Sequence, residues 1–186
     1  MRQALWLLLE TLGSLLAIAC LLRAYMNRVG IGSRNQIGQF ILAVTDWLVR
    51  PLRRLVPAGG RLDWASIVAA LLVSSVLAFL FVSMFGARQV PSFGAVLLLS
   101  LFWLVKWSLW LLTVLVIVQA VLSWVNPYAP IAPTIDALTR PFLAPIRRVV
   151  PLIGGVDLSP LVLILGIQVL LTLIQSMVPG LLAFGA

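Results

Sequence analysis

The segment that decides the fold is PFLAPIRRVVPLIGGVDLSP, residues 141–160, which separates two long apolar runs. It concentrates prolines, arginines and glycines in a chain that is otherwise strongly apolar. A version of it occurs earlier, at a constant offset of 94 residues. The matching residues are Pro51, Arg53, Arg54, Pro57, Gly60 and Asp63 in the first copy and Pro145, Arg147, Arg148, Pro151, Gly154 and Asp157 in the second. The repetition predicts a duplicated basic turn between membrane helices.

The composition is typical of a membrane protein. Of the 186 residues, 62% are apolar and only 10% are charged, whereas about a quarter of the residues in soluble domains are charged. Apolar runs of about 20 residues recur, which is long enough to cross a hydrocarbon core of roughly 30 Å. We therefore expect an all-α membrane protein with four transmembrane helices, arranged as two tandem helical hairpins with an amphipathic, basic connector inside each.

The residue types present exclude much enzyme chemistry. The sequence has one cysteine and no histidine. Internal disulfides, ordinary zinc sites, histidine-ligated haem and triads with a histidine base are therefore excluded for this chain. We expect no enzyme activity, no metal and no cofactor. The net charge of +8 arises mainly in the loops, so membrane orientation and anionic lipid headgroups explain it better than nucleic acid.

Charges, caps and prolines define the four predicted spans. A cleaved signal peptide is an alternative for the first, but Glu10 and the apolar residues beyond Cys20 favour a retained helix. Asp63 is a plausible N-cap for the second span, and Ser159 followed by Pro160 predicts the start of the fourth. The predicted spans are Met1–Leu22, Trp64–Phe85, about residues 105–125 and Leu161–Val178.

The first connector, residues 24–63, contains a predicted amphipathic helix that ends at Pro51, because proline disfavours the helical conformation of the residue before it. The apolar side of this helix consists of Ile37, Phe40, Ile41, Val44 and Leu48. In the second half, residues 95–125 form a longer apolar run with one charge, Lys106. Its tryptophans are expected to lie at headgroup level, which places the start of the third span near residue 105. They are Trp103, Trp107 and Trp110.

Arginine counts predict the orientation. The two connectors carry six and three arginines, more than the opposite side of the chain, which places the connectors in the cytoplasm and both termini in the periplasm of an inner membrane. Each half reads as span, connector, span in the same orientation. This arrangement predicts a pseudo-two-fold axis along the membrane normal.

The repeat also aligns charges inside the spans. The first and third spans align best at an offset of 96, which sets Arg23 against Gln119 and Glu10 against Lys106. Glu10 and Lys106 could form an intramembrane ion pair, because pairing lowers the cost of a charge in hydrocarbon. The alternative is two side chains that reach the outer interface separately.

The second half carries a distinctive set of residues between its spans. The run Val121–Trp124 is followed by Asn126 and Pro127. Further along stand Thr139, Pro141, Pro145, Arg147, Arg148, Pro151, Gly154, Gly155, Asp157, Ser159 and Pro160. This set resembles the central motif of the YggT family of bacterial and plastid membrane proteins. The first half is a degenerate copy, so we expect two YggT repeats, at residues 1–94 and 95–186.

The resemblance implies a small integral membrane protein of the bacterial inner membrane or the thylakoid. Members of the family are associated with osmotic-stress tolerance and potassium uptake, with cell or organelle division and nucleoid distribution, and with cytochrome assembly. Two functions stay open for this chain. One is a membrane scaffold or assembly factor that acts through its cytoplasmic connectors, on a membrane-protein partner or as a homo-oligomer. The other is a component of a cation channel or potassium uptake system.

Three roles are open for the arginine pairs Arg53–Arg54 and Arg147–Arg148. They could bind an anionic lipid headgroup or an acidic partner segment, since a guanidinium holds phosphate or carboxylate bidentately. They could pair internally with Asp63 and Asp157, or they could serve only to set orientation. The two aspartates are expected to be caps or ion-pair partners rather than acids or bases.

Polar residues inside the spans could line an ion path or form hydrogen bonds between helices, and the second use is the more common one. These residues are Ser74, Gln119, Ser123, Gln168, Thr172 and Gln175. The sequence lacks a potassium filter of the Thr-Val-Gly-Tyr-Gly kind.

Overall fold

The computed structural model describes residues 1–31, 35–56, 62–85, 92–150 and 157–184, with side chains as far as Ser176. The helices, numbered in chain order, are α1 (Arg2–Val29), α2 (Gln36–Leu52), α3 (Trp64–Phe85), α4 (Phe93–Val125), α5 (Ala132–Arg147) and α6 (Ser159–Phe184). Four of them, α1, α3, α4 and α6, are long and apolar enough to cross a membrane. The described chain is all-helical, as predicted, and is that of a multi-pass membrane protein.

The first hairpin pairs α1 with α3, and small residues bring the two helices close together. Gly13 of α1 lies so near Leu77 of α3 that a Cβ at this glycine would fall 2.6 Å from Leu77 Cδ1. Ala17 and Ala78 are fully buried in the same cluster. Small residues on both helices therefore form the packing face of this hairpin.

The first connector folds into α2, whose start is fixed by Asn35. The Asn35 side chain accepts a hydrogen bond of 2.6 Å from the Gly38 N–H, as an N-cap does. The predicted helix is confirmed. Phe40, however, is exposed, so the buried face of α2 differs from the predicted apolar face. Pro51 does not end α2, since the last turn continues to Leu52. The buried residues are Gly38, Ile41, Thr45 and Val49.

The second connector contains a helix that the sequence did not predict. Pro141 and Pro145 lie inside α5, although a proline inside a helix removes a backbone hydrogen bond. Burial offsets this loss, because Ile135, Leu138 and Leu143 are buried on one side of α5. Two of them pack in one cluster with residues of α1 and α4. Residues 141–147 of the predicted basic turn are therefore helical.

The third spanning helix begins earlier than predicted. α4 runs without interruption from Phe93 to Val125. Trp103 and Trp107 are buried in the bundle, and the Trp103 ring lies 5.9 Å from the ring of Phe81 in α3. These two tryptophans therefore belong to the core between α3 and the N-terminal half of α4, and their headgroup-level depth stays a prediction.

The two repeats do not close around a two-fold axis. α3 contacts α4, the first helix of the following repeat, but within the described ranges α6 has no contact with α1. A closed pseudo-two-fold arrangement requires both contacts, so that prediction is wrong. The repeats are arranged side by side in an open array, which leaves one face of α6 without a neighbour in the described chain.

Candidate functional site

The same ion pair closes the connector of each repeat. In the first, Arg53 Nη2 lies 2.6 Å from Asp63 Oδ2, and in the second, Arg147 Nε lies 2.7 Å from Asp157 Oδ2. Each pair joins the end of a connector helix to the start of the next spanning helix. We call residues 53–56 together with Asp63 the first elbow, and residues 147–150 together with Asp157 the second elbow. Internal pairing, one of the three roles that the sequence left open, is present at both elbows. Pro57 and Pro151 lie outside the described residues.

The two aspartates also anchor the starts of the spanning helices. Asp63 occupies the N-cap position of α3, where its carbonyl accepts the Ser66 N–H, and its Oδ2 accepts the Ser66 hydroxyl at 2.9 Å. Asp157 Oδ1 accepts the Ser159 N–H at 2.9 Å. Ser159 is not itself the cap, because α6 begins at Ser159 and the Leu158 carbonyl accepts the Val162 N–H.

Both carboxyl groups have lowered pKa values. Burial alone would raise the pKa of the Asp63 carboxyl, but hydrogen bonds from Arg53 and Ser66 and the charges of Arg53 and Arg23 outweigh it. At Asp157, burial likewise raises the pKa, and hydrogen bonds from Ser159 and Arg147 reverse the shift. Both aspartates are therefore ionised at neutral pH and act as ion-pair partners rather than as acids.

The second arginine of each pair is arranged differently from the first. Arg54 and Arg148 are exposed, and neither forms an ion pair with a described residue. Each is followed by a strongly exposed apolar side chain, Leu55 at 79% and Val149 at 82%. Each elbow thus presents one cation and one apolar group on a backbone that the neighbouring arginine fixes.

A buried charge cluster lies under the first elbow. Arg23 of α1 is only 6% exposed, and its Nη1 donates to Thr45 Oγ1 and to Asp46 Oδ1, both at 2.8 Å. Its Nε lies 3.5 Å from Asp63 Oδ2, and Asp46 also pairs with Arg50 at 2.9 Å. The sequence assigned no partner to Arg23. The available signal was an arginine at the end of an apolar run, since such charges are paired when they are buried.

The second repeat has a weaker version of this cluster. Gln119 takes the place of Arg23, and its Nε2 lies 3.5 Å from Asp136 Oδ1. Asp136 Oδ2 accepts a bond of 2.6 Å from Arg140, one turn further along α5. Arg140 stands where the first repeat has Asp46, so the charges of the two repeats are rearranged rather than copied.

One polar crevice lies at Arg23 in the first repeat, and another lies at the equivalent residue, Gln119, in the second. The first, about 280 Å³, is lined by Arg23, Arg53 and Asp63 together with residues of α2. The second, about 260 Å³, lies between α4 and α5 and is lined by Gln119 and Asp136. Three buried polar atoms without a hydrogen bond belong to residues that line these crevices, namely Arg23 Nε, Asp63 Oδ1 and Gln119 Oε1. The fourth among the described side chains is Ser159 Oγ, at the start of α6.

Comparison with known proteins identifies the chain. A family model described as CCB3/YggT matches residues 2–84 and 98–178, two segments that fit a tandem repeat. The chain belongs to the CCB3/YggT family. The uncharacterised YggT protein of Escherichia coli K12 is 33% identical over 175 residues, 90% of this chain and 87% of that protein. An uncharacterised protein from the proC 3′ region of Vibrio alginolyticus is 37% identical over 163 residues, 87% of this chain and 88% of that one. No solved structure matches.

Two groupings that the sequence left open are not assembled in this CCB3/YggT protein. Within the described part of the chain, no ion pair joins Glu10 to Lys106. The six polar span residues do not share one path either. Ser74 is buried and bonds to its own helix at the Leu71 carbonyl, whereas the polar residues of α6 are exposed. In the same part of the chain, no three metal-ligating side chains come together.

Proposed function

We propose that this CCB3/YggT protein is a membrane scaffold or assembly factor whose two elbows bind an acidic segment of another membrane protein. One observation carries the proposal. At each elbow the first arginine is held by an aspartate, while the next two residues, a cation and an apolar side chain, are exposed. A preorganised group loses little conformational entropy on binding, so the fixed backbone favours recognition.

The chemistry of the elbows supports one class of partner. A free guanidinium forms bidentate hydrogen bonds with a carboxylate, and Leu55 or Val149 adds an apolar contact beside it. We therefore propose a partner segment with acidic and apolar residues close to the membrane. The arginine excess of the connectors supports a cytoplasmic position for both elbows. The physiological setting we propose is the osmotic-stress response or an envelope or division process of the inner membrane.

Neighbouring charge reversals test the proposal because they separate folding from binding. We expect Arg147→Glu to lower thermal stability, since it places a second negative charge beside Asp157. We expect Arg148→Glu to leave stability nearly unchanged and to abolish capture of the partner. Capture is measured in membranes with a photoreactive residue at Val149, and Tyr128, which is also exposed on the second connector, serves as the control position.

Four outcomes would contradict this function. A photoreactive residue at Val149 could give the same products as one at Tyr128, or Arg148→Glu could leave the products unchanged. Products that contain only anionic lipid would identify the elbows as headgroup sites instead. Potassium flux through the purified protein in liposomes would favour the channel component that the sequence left open, because a scaffold predicts no flux.

A further inference from the structure

The spanning helix α6 has a polar face without a neighbour in the described chain. Gln168, Thr172 and Gln175 are all exposed on it. The Thr172 hydroxyl donates to the Gln168 carbonyl at 2.9 Å, but within the described residues neither glutamine amide has a hydrogen bond. An unpaired amide is costly in hydrocarbon. The face therefore requires a partner that can hydrogen-bond at membrane depth.

The first repeat shows how the same face is covered. At the offset of 94, Gln168, Thr172 and Gln175 correspond to Ser74, Ala78 and Phe81 of α3. Ser74 and Ala78 are fully buried, and Phe81 packs against the cluster that contains Ala78. Part of the cover is α4, the first helix of the following repeat, through the ring contact of 5.9 Å between Phe81 and Trp103.

The matching surface of α1 is uncovered as well. At the offset of 96, Trp103 and Trp107 of α4 correspond to Leu7 and Thr11 of α1. Both tryptophans are buried, whereas Leu7 and Thr11 are exposed. The offset also holds for the buried positions of the two helices. Equivalent buried pairs are Ala17 with Thr113, Ala19 with Leu115, and Cys20 with Val116.

We propose that α6 of one copy packs against α1 of a second copy and repeats, between chains, the contact that α3 makes with α4 within a chain. The equivalence places Gln175 of one copy beside Leu7 of the next, and Thr172 on the same side of the contact. The contact is head-to-tail, so it uses different surfaces on the two copies and continues until a ring closes. Each added copy extends the open array of repeats by two.

A second copy suits this face better than lipid does. Acyl chains offer no hydrogen bonds to the amides of the two glutamines. By contrast, α1 carries Gln3 and Thr11 in its N-terminal half, which would face these glutamines. The α3–α4 interface is already built from equivalent positions, so the contact between copies continues an existing packing arrangement. Neither surface overlaps the elbows, and the inference is independent of the proposed function.

Disulfide crosslinking in membranes tests the arrangement. In a Cys20→Ala background, we expect Leu7→Cys with Gln175→Cys to give dimers and higher species on oxidation. The matched control pairs Leu7→Cys with Leu173→Cys, because Leu173 is exposed at nearly the same depth and its counterpart Phe79 is exposed in the first repeat too. α1 and α6 do not touch within the described chain, so a disulfide between these positions must join two copies.

The first variant should give severalfold more crosslinked product than the control. Equal yields from the two variants would overturn the proposal. So would a lack of product from Leu7→Cys/Gln175→Cys protein whose thiols react with a maleimide. Native mass spectrometry of the unmodified protein in lipid nanodiscs gives an independent result: more than one copy is expected, and a monomer alone would overturn the arrangement.

Discussion

Each repeat has an elbow closed by an arginine–aspartate ion pair, but the residues that pack against the elbow differ between the repeats. In the first, Arg23 is buried between Asp46 and Asp63, and Asp63 is only 2% exposed. In the second, Gln119 replaces this arginine, and Asp157 is 24% exposed. The first elbow therefore rests on a buried charge cluster, whereas the second is a partly solvated ion pair.

The difference separates two requirements of the fold. Closing an elbow needs an arginine and an aspartate ten residues apart, because both repeats have that pair at the same spacing. Burying the elbow needs a further cation, because a buried carboxylate without sufficient positive charge is costly. Arg23 supplies that cation in the first repeat only. Disrupting equivalent residues should therefore cost more in the first repeat than in the second.

The largest expected effect comes from Arg23→Met. It leaves Asp63 and Asp46 without a buried partner charge, so we expect a loss of about 3–5 kcal/mol in the free energy of unfolding. The matched change Gln119→Met removes only a long hydrogen bond and should cost about 1 kcal/mol. Equilibrium unfolding in mixed micelles measures both. Equal losses would contradict the distinction between an elbow that packs on a buried arginine and one that packs on a neutral glutamine.

Neutralising the aspartates should show the same order. Asp63→Asn leaves Arg23 and Arg53 facing a neutral amide in a buried site, with an expected cost of about 2–4 kcal/mol. Asp157→Asn acts at a more solvated pair and should cost about 1 kcal/mol or less. The same unfolding assay applies, and a larger loss from Asp157→Asn would reverse our assignment of the more buried elbow.

The hairpin interfaces should differ as well. A methyl group at Gly13 meets Leu77 at 2.6 Å, whereas one at Gly166 meets nothing within 4 Å. We expect Gly13→Ala to lower stability by about 1–2 kcal/mol through overpacking. Gly166→Ala should be neutral or slightly stabilising, since alanine favours a helix by about 1 kcal/mol over glycine. Thermal unfolding of both variants checks this, and an unaffected Gly13→Ala protein would show that the α1–α3 contact is loose.

The smallest effect is a dependence on pH. The lowered pKa values of Asp63 and Asp157 mean that their ion pairs stabilise the protein above the ordinary carboxyl pKa of 3.8, and that this contribution is lost as the pH falls below it. Thermal unfolding between neutral pH and about pH 3 should show a falling midpoint. Asp63→Asn should flatten this profile more than Asp157→Asn does. A midpoint that rises on acidification would have the wrong sign for paired carboxylates.

The sequence predicted the parts of the fold that depend on local pattern. Apolar runs located the four spans, and the offset of 94 aligned Arg53 with Arg147 and Asp63 with Asp157, which made internal pairing one of the open roles at both places. It failed where distant packing decides. The sequence did not predict α5, because Pro141 and Pro145 disfavour a helix there. The helix is stabilised by the burial of Leu138 against other helices.

The candidate site was predictable to a similar extent. The two ion pairs were one of three roles that the sequence left open for the arginines. The role of Arg23 depends on the contact between α1 and α2, so it cannot be predicted from either segment alone. Trp103 and Trp107 resemble headgroup-level residues in sequence, and only their contact with α3 reveals them as core. The exposed cations at Arg54 and Arg148 could not be distinguished from their paired neighbours by residue type.

A double-mutant cycle at each elbow tests the shared ion pair most directly. It compares Arg53→Ala, Asp63→Ala and the double variant, and likewise Arg147→Ala, Asp157→Ala and their combination, by free energy of unfolding. We predict a favourable coupling energy at both elbows, about 0.5–1 kcal/mol at the second. We predict a larger one at the first, about 1–3 kcal/mol. Coupling energies of zero at both elbows would contradict the account.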